Sequence, residues 1–264
     1  MIVACIVIVC LIVFVLPPSV QNILKTRNAV FNPLAYVTAS FVHGSDLHLA
    51  GNLLLFIPSI FLLNYISKKA NKQRFFLFSL PFIFLLVPIL TYSIMNYYGI
   101  YRQVPYSFGL SLVDSALLGF FVPVFILYLR KTLGKLGIIA FFLSTIFLTF
   151  ALIGAVLQLL TATVVSIVLG CGFAFLVSKK IILLLKELFS NKKNFSEVFV
   201  LLFSPFFYFF SIYGLFPIAD QVVQGSRVGI VQHFIGLFIG IFLFSAYAIS
   251  LVFLEKNHLT LSEK

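Results

Sequence analysis

The chain has 264 residues, of which 62% are hydrophobic and only 9% are charged. A soluble domain carries roughly 25% charged residues, so this composition excludes a soluble globular protein and indicates that lipid is the main solvent. The net charge of +11 does not point to nucleic acid, because the Lys and Arg residues cluster between apolar stretches. The three cysteines lie within apolar stretches, so they do not indicate a disulfide framework.

Apolar stretches of about 20 residues, each long enough to cross a ~30 Å hydrocarbon core, recur along the whole chain. The sequence predicts an all-α, polytopic transmembrane helix bundle of about eight spans, forming a single integral membrane domain over residues 1–264. The first stretch lacks the basic start and cleavage site of a signal peptide, so we interpret it as a retained helix. The weakest separation, at residues 158–163, lies between the fifth and sixth spans. The predicted spans are roughly 2–20, 46–67, 75–97, 107–129, 136–158, 160–185, 197–218 and 227–253.

The distribution of the basic residues supports this topology, because Lys and Arg favour the cytoplasmic side of a membrane. Fourteen of the 18 follow or end the even-numbered spans, whereas Lys25, Arg27, Arg102 and Arg227 fall on the other side. A wrong number of spans would disturb this alternation. We therefore expect a multi-pass protein of the cell membrane with both termini in the cytoplasm.

Polar side chains open the second predicted span, and such groups inside a membrane are costly and are candidates for function. His48 and Asn52 are four residues apart and share one helix face. An Asn amide at this position can donate a hydrogen bond to a developing negative charge. His43 and His48 could instead fix the preceding loop. The small residue Gly51 is expected to let another helix approach closely.

Ser111 opens the fourth predicted span, two residues after Gly109. The first N–H groups of a helix lack intrahelical partners and favour negative charge, so a serine there has a site for the oxyanion of an acyl-transfer intermediate. Asp114 lies one turn further on, where a buried carboxylate is expected to be neutral or paired. It could line a wet cavity, tether a loop or orient a histidine. Ser115 is predicted to lie in the wall of that cavity.

The last predicted span carries His233 in its first turns, with Gly236 and Gly240 on the same face. A stripe of small residues allows close helix packing, which would bring His233 near a partner helix. The second, fourth and eighth spans run in the same direction, so all three polar sets are expected at one depth. A serine, a histidine and amide donors at one depth are the components of a serine hydrolase.

These motifs resemble those of rhomboid intramembrane proteases. Residues 43–52 are similar to the family's His-x4-His-x3-Asn motif, and residues 109–111 to its Gly-x-Ser-Gly motif. Residues 233–240 are similar to its histidine motif in the last helix. Leu112 stands where the serine motif of the family has its second Gly.

The resemblance implies that Ser111 is the nucleophile and His233 the general base of a dyad, with His48 and Asn52 stabilising the oxyanion. The rhomboid-like core would comprise residues 1–135 and 219–254, with additional spans inserted within 136–218. The substrates would be transmembrane segments of other proteins, cut at a site that opens outward, with no cofactor or metal. The residues expected to line the cavity or support the site are His43, Gly109, Asp114, Ser115, Gly236 and Gly240.

Other function classes stay open at this point. Leu112 favours one alternative, a catalytically inactive rhomboid-like protein that binds client transmembrane segments. The scarcity of charge within the spans disfavours another, a small-solute transporter. A zinc site of His43, His48 and His233 lacks a carboxylate or cysteine at ligand spacing. The expected partners are membrane proteins and the lipid bilayer rather than nucleic acid, and the sequence does not fix an oligomeric state.

Overall fold

The computed structural model describes residues 2–27, 30–97, 106–190, 195–216, 222–223, 226–227 and 229–261. Nearly all of these residues are helical, as predicted, and seven helices among them are long and apolar enough to cross a membrane. The chain is therefore an all-α, multi-pass membrane protein. The seven candidate spans are Asp46–Lys69, Gln73–Tyr97, Ser111–Arg130, Thr132–Val156, Leu160–Ser190, Ser196–Leu215 and Ile230–Leu251.

The elements follow one another in a simple order along the chain. The helices are α1 (Ile2–Val15), α2 (Pro18–Leu24), α3 (Pro33–Thr38), α4 (Asp46–Lys69), α5 (Gln73–Pro81), α6 (Val87–Tyr97), α7 (Ser111–Val156), α8 (Leu160–Ser190), α9 (Phe195–Leu215) and α10 (Ile230–Leu261). The strands are β1 (Thr26–Arg27), β2 (Tyr106–Ser107), β3 (Val222–Val223) and β4 (Ser226–Arg227). A short 3-10 helix (Ala39–Phe41) follows α3, and one π-helical turn (Phe82–Leu86) joins α5 to α6. Two antiparallel ladders pair β1 with β2 and β3 with β4.

The prediction of one continuous helix over residues 2–20 is wrong. Helix α1 ends at Val15 and α2 begins at Pro18, because two consecutive prolines restrict the backbone and remove N–H donors. The 14 residues of α1 reach only about 21 Å at 1.5 Å per residue, less than a ~30 Å hydrocarbon core. Seven candidate spans are therefore present in the described ranges, and an eighth stays a prediction.

The predicted separations between the later spans are present in the structure. The fourth and fifth spans are two helices, as predicted: α7 runs through both but is broken at Gly134, whose φ of 68° and ψ of 179° are not helical. The fifth and sixth spans, whose separation was weakest in the sequence, are distinct helices. Gln158 has a φ of 58° between them, a left-handed conformation that ends a helix.

The chain contacts cluster in two compact units, each built from three separate segments. Unit 1 comprises Met1–Phe61, Leu77–Gly119 and Ala219–Gly240. Unit 2 comprises Leu62–Phe76, Phe120–Ile218 and Ile241–Lys264. All ten residues predicted to act in or support the site belong to unit 1, so the candidate site lies within one unit.

Aromatic side chains form much of the core of each unit. In unit 1, the fully buried Tyr36 of α3 packs on Tyr92 of α6, with the ring centroids 5.4 Å apart. In unit 2, Phe120 of α7 packs edge-on against Phe244 of α10 at 4.6 Å. Each such pair contributes about 0.5–1.5 kcal/mol beyond the burial of its area.

Candidate active site

The first residue of α7 and the first turn of α10 meet within unit 1. Ser111 Oγ lies 2.8 Å from His233 Nε2, although the two residues are 122 positions apart in the chain. This is the distance of a good O–H···N hydrogen bond. Ser111 is 7% exposed and His233 is 3% exposed, so the pair is almost completely shielded from the surroundings.

Two glycines of α10 bring these residues together. A Cβ atom at Gly236 would lie 2.7 Å from Leu112 Cδ1 and 2.9 Å from the Leu112 carbonyl oxygen. A Cβ atom at Gly240 would overlap the carbonyl oxygen of Ala116 and lie 3.0 Å from Gly119 Cα. Helices α7 and α10 therefore approach to backbone contact, as the small residues of α10 predicted. The fully buried Leu112 side chain lies against the space that Gly236 leaves open.

The turn before Ser111 lies against the two candidate oxyanion donors. Gly109 has a φ of 114° and donates its N–H to the Ala39 carbonyl oxygen at 2.9 Å. A Cβ atom at Gly109 would lie 2.8 Å from His48 Nε2 and 3.5 Å from Asn52 Nδ2. Only glycine suits this position, because a side chain there would be strained and would collide with the His48 ring.

Asn52 keeps an unused donor beside this turn. Its side chain is 5% exposed, and Nδ2 has no hydrogen-bond partner. Buried polar atoms without partners are rare in folded proteins, and each one calls for an explanation. An amide donor held ready for a transient negative charge is one such explanation.

His43 connects the loop before α4 to the turn before α7. Its Nδ1 lies 3.2 Å from the Phe41 carbonyl oxygen, and its Nε2 accepts the Leu110 N–H at 3.5 Å. Burial, with a smaller contribution from the nearby His48, lowers the pKa of His43 to about 4. The neutral ring is the form that donates from Nδ1 and accepts at Nε2, so His43 has the contacts of a supporting residue.

Asp114 and Ser115 lie deeper in the same helix and are both fully buried. Ser115 Oγ donates to the Ser111 carbonyl oxygen at 2.7 Å, which ties it to the first turn of α7. Neither carboxyl oxygen of Asp114 has a hydrogen-bond partner. The structure therefore does not give Asp114 a hydrogen bond through which it could orient His233.

The sequence analysis misplaced one close contact and missed several others. A Cβ atom at Gly51 would meet nothing within 4 Å, so the expected close helix approach does not occur there. A close approach occurs instead between Gly240 of α10 and the residues Ala116 and Gly119 of α7. Ala116 and Gly119 could have been recognised in the sequence as small residues at helical spacing after Ser111. The main-chain hydrogen bonds of Gly109 and Leu110 had no signal in the sequence, because every residue type offers these groups.

Comparisons with known proteins do not add to this picture. No protein-family model matches the chain, and neither a curated protein nor a solved structure matches it. Within the described ranges, no three His, Cys, Asp or Glu side chains are grouped so that they could hold a metal ion. The assignment of a function therefore depends on the geometry of unit 1.

Proposed function

We propose that this protein is a rhomboid-like intramembrane serine protease with Ser111 as nucleophile and His233 as general base. The observation that supports this most directly is the 2.8 Å distance between Ser111 Oγ and His233 Nε2. A serine becomes a useful nucleophile when an adjacent base accepts its proton. The buried position of the pair, at the start of two apolar helices, suits a substrate that is itself embedded in lipid.

The reaction we propose is acyl transfer to Ser111 followed by hydrolysis. His233 Nε2 takes the proton of Ser111 Oγ as the oxygen attacks the carbonyl carbon of the scissile peptide bond. The tetrahedral intermediate collapses when the protonated His233 gives this proton to the departing amine nitrogen. A water molecule then attacks the carbonyl carbon of the acyl-enzyme while His233 accepts its proton. His233 returns this proton to Ser111 Oγ as the bond between Oγ and the acyl carbon breaks, which regenerates Ser111 and releases the carboxylic acid product.

The oxyanion of the tetrahedral intermediate needs hydrogen-bond donors that are already in place. The unpartnered Nδ2 of Asn52 is one donor, and the His48 ring beside Gly109 is a second. The main-chain N–H of Ser111 is a third, because the first N–H groups of a helix have no intrahelical acceptor.

The substrates we propose are transmembrane segments of other membrane proteins. The distribution of the basic residues favours an orientation in which α4, α7 and α10 begin on the outer side of the membrane. Cleavage would then occur near the outer end of the substrate segment. Because Ser111 and His233 are buried, the neighbouring segments must move to admit substrate and water.

Covalent labelling of the full-length protein with a fluorophosphonate probe tests this proposal. The wild-type protein should be labelled, and both Ser111→Ala and His233→Ala should abolish the labelling, because the two residues act as one unit. Ser59→Ala is the matched control, since Ser59 is fully buried and its hydroxyl has no partner. Persistent labelling of Ser111→Ala would overturn the assignment of the nucleophile.

The near-complete burial of the pair favours one second candidate, an inactive rhomboid-like protein that binds client transmembrane segments. The same experiment separates the two functions. A folded wild-type protein that captures transmembrane segments by crosslinking but is never labelled by the probe is the binder. Labelling at Ser111 excludes it.

A further inference from the structure

Unit 2 contains an apolar cavity of about 510 Å³ whose walls come from α7, α8 and α9. This volume falls within the range of roughly 300–1,000 Å³ that ligand pockets have. The lining residues Ile182 and Leu202 are 49% and 52% exposed. The cavity therefore reaches the outer surface of the helices, which faces lipid in a multi-pass protein.

The polar groups in the cavity wall are already satisfied within the protein. The hydroxyl groups of Ser144, Thr145 and Ser178 donate to main-chain carbonyl oxygens at 3.0, 2.9 and 2.8 Å. Tyr208 OH lies 3.0 Å from Thr149 Oγ1, whose own proton goes to the Thr145 carbonyl oxygen at 2.8 Å. Since every hydroxyl proton is used, the wall favours a hydrocarbon occupant over a polar ligand.

An empty or water-filled cavity of this size is unfavourable. Voids cost stability in proportion to their volume, and the total stability of a domain is small. Apolar cavities do not hold ordered water, which needs two to four polar partners. The apolar molecules available at an opening toward lipid are the acyl chains of the bilayer.

Three lysines of the C-terminal part of α8 lie beside the cavity wall. Lys179 and Lys180 lie between the lining residues Ser178 and Ile181, and Lys186 directly follows the lining residue Leu185. Lys180 Nζ also donates to the Leu133 carbonyl oxygen at 2.7 Å. Basic residues toward the end of a membrane span attract anionic lipid headgroups. We propose that the cavity binds one acyl chain of an anionic phospholipid whose headgroup lies among these three lysines, here called the lysine group. This inference does not rest on the proposed protease activity.

The absence of tryptophan from the chain allows a direct test. Phe209→Trp places a single fluorophore in the cavity wall, whereas Phe210→Trp places one on the exposed face of the same helix, where Phe210 is 64% exposed. The full-length variants in detergent are titrated with phosphatidylglycerol that carries bromine on its acyl chains. Quenching at position 209 should saturate near one lipid per protein, and quenching at position 210 should rise without saturation. The same dependence at both positions would overturn the proposal.

Brominated phosphatidylcholine tests the assignment of the headgroup. We expect at least about tenfold weaker saturable quenching with this zwitterionic lipid, since basic residues near the membrane surface attract anionic headgroups. A triple variant with Lys179→Gln, Lys180→Gln and Lys186→Gln should bind both lipids equally weakly. Equal apparent affinities in the Phe209→Trp protein would overturn the assignment to an anionic lipid.

Filling the cavity provides an independent variant. Ala174→Phe in the Phe209→Trp background should remove the saturable quenching, because Ala174 lines the cavity. Ala162→Phe adds the same ring to an exposed position of the same helix and should leave it unchanged. A fluorescence change that depends on protein concentration but not on lipid would indicate a second copy of this chain in the cavity and would overturn the proposal. If Ala174→Phe does not fold, the comparison of positions 209 and 210 decides alone.

Discussion

Two apolar spans of this protein have similar composition and opposite surroundings. In an apolar stretch of 18 residues within Ser111–Arg130, here called the central span, 94% of the residues are buried, against 17% in such a stretch of α8. Both are apolar enough to cross a membrane, so hydropathy does not separate them. The comparison teaches that a helix with buried side chains can hold reactive polar groups away from lipid, whereas a helix with exposed side chains presents them mainly to the bilayer.

One hydroxyl group of the central span bonds to a side chain on another helix: Ser111 Oγ lies 2.8 Å from His233 Nε2. Ser115 of the same span, and Thr163 and Ser178 of α8, instead donate to carbonyl oxygens three or four residues away in their own helices. Such local bonds satisfy a hydroxyl group without a partner from another helix. The central span therefore contacts other helices, and substitutions at these contacts should disrupt them.

The largest effect is expected from one methyl group added where α10 contacts the central span. Gly240→Ala should lower the free energy of unfolding by about 3 kcal/mol or more, because a Cβ atom there overlaps the Ala116 carbonyl oxygen. Gly172→Ala in α8 is the control, since nothing lies within 4 Å of its Cβ position. It should be neutral or stabilising, because Ala favours a helix over Gly by about 1 kcal/mol. Thermal unfolding measures both, and equal effects would contradict the close packing.

A smaller effect is expected on the reaction alone when the unused donor beside the central span is removed. Asn52→Ala should slow the proposed proteolysis or the fluorophosphonate labelling by about 10²–10³-fold, the typical loss of one oxyanion donor. It should not lower the melting temperature, because Asn52 Nδ2 has no partner to lose.

Asn64 provides the matched control at the other end of α4. Its Oδ1 accepts a hydrogen bond from Gln73 at 3.0 Å, so Asn64→Ala should reduce stability by about 1 kcal/mol and leave the labelling rate unchanged. The opposite pattern, with Asn52→Ala affecting stability and not the rate, would exclude Asn52 as an oxyanion donor.

The next effect depends on pH. The pKa of His43 is lowered from 6.5 to about 4 in the folded protein, so the unfolded chain binds the proton more readily between these values. Stability contributed by the neutral His43 is therefore complete above pH 6.5 and is lost as the pH falls toward 4. The loss approaches about 3 kcal/mol, since each pKa unit corresponds to about 1.4 kcal/mol.

Comparison with a variant isolates this contribution from that of the carboxylates. His43→Gln keeps a hydrogen-bonding side chain and removes the titration. Thermal unfolding of both proteins between pH 7 and pH 4 should show a steeper loss of melting temperature for the wild type. Parallel curves would contradict the role of neutral His43 as the acceptor for the Leu110 N–H.

The smallest effect is expected at the buried carboxyl group of the central span. Asp114→Asn keeps the shape of the side chain and breaks no hydrogen bond, because neither carboxyl oxygen has a partner. We expect a change in stability within about 1 kcal/mol and a labelling rate within about threefold of the wild type, a shift of less than 1 kcal/mol in the barrier. A loss of labelling comparable to that of His233→Ala would instead make Asp114 a third member of the catalytic group.

The comparison also shows which parts of the fold the sequence could predict. Runs of apolar residues separated by basic loops were sufficient to locate the seven spans, because helix length and bilayer thickness are matched. They were insufficient for the first 20 residues, where two adjacent prolines divide the predicted helix. The break at Gly134 lies in the basic stretch of residues 130–135, between the fourth and fifth predicted spans, so the sequence was sufficient to locate it.

In the candidate site, too, the sequence predicted some features and not others. It was sufficient to place four site residues at the starts of their spans: His48, Asn52, Ser111 and His233. The role of Gly51 was predicted wrongly, since a small residue permits a close approach without requiring a neighbour. The connection from His43 to the Leu110 N–H involves a main-chain group, and sequence patterns carry no information about which side chain such a group will meet.

The sequence by itself determined that this protein resides in lipid, that it is helical, and which helix ends carry polar groups. These properties follow from local composition and from the cost of burying unpaired polar groups in a membrane. Only the tertiary structure decided that Ser111 Oγ and His233 Nε2 lie 2.8 Å apart, that the residues of Ser111–Arg130 are buried and most of those in α8 are not, and that a cavity opens in unit 2. The physical reason is that packing between distant segments depends on which helix faces meet, and many pairings satisfy the same apolar pattern.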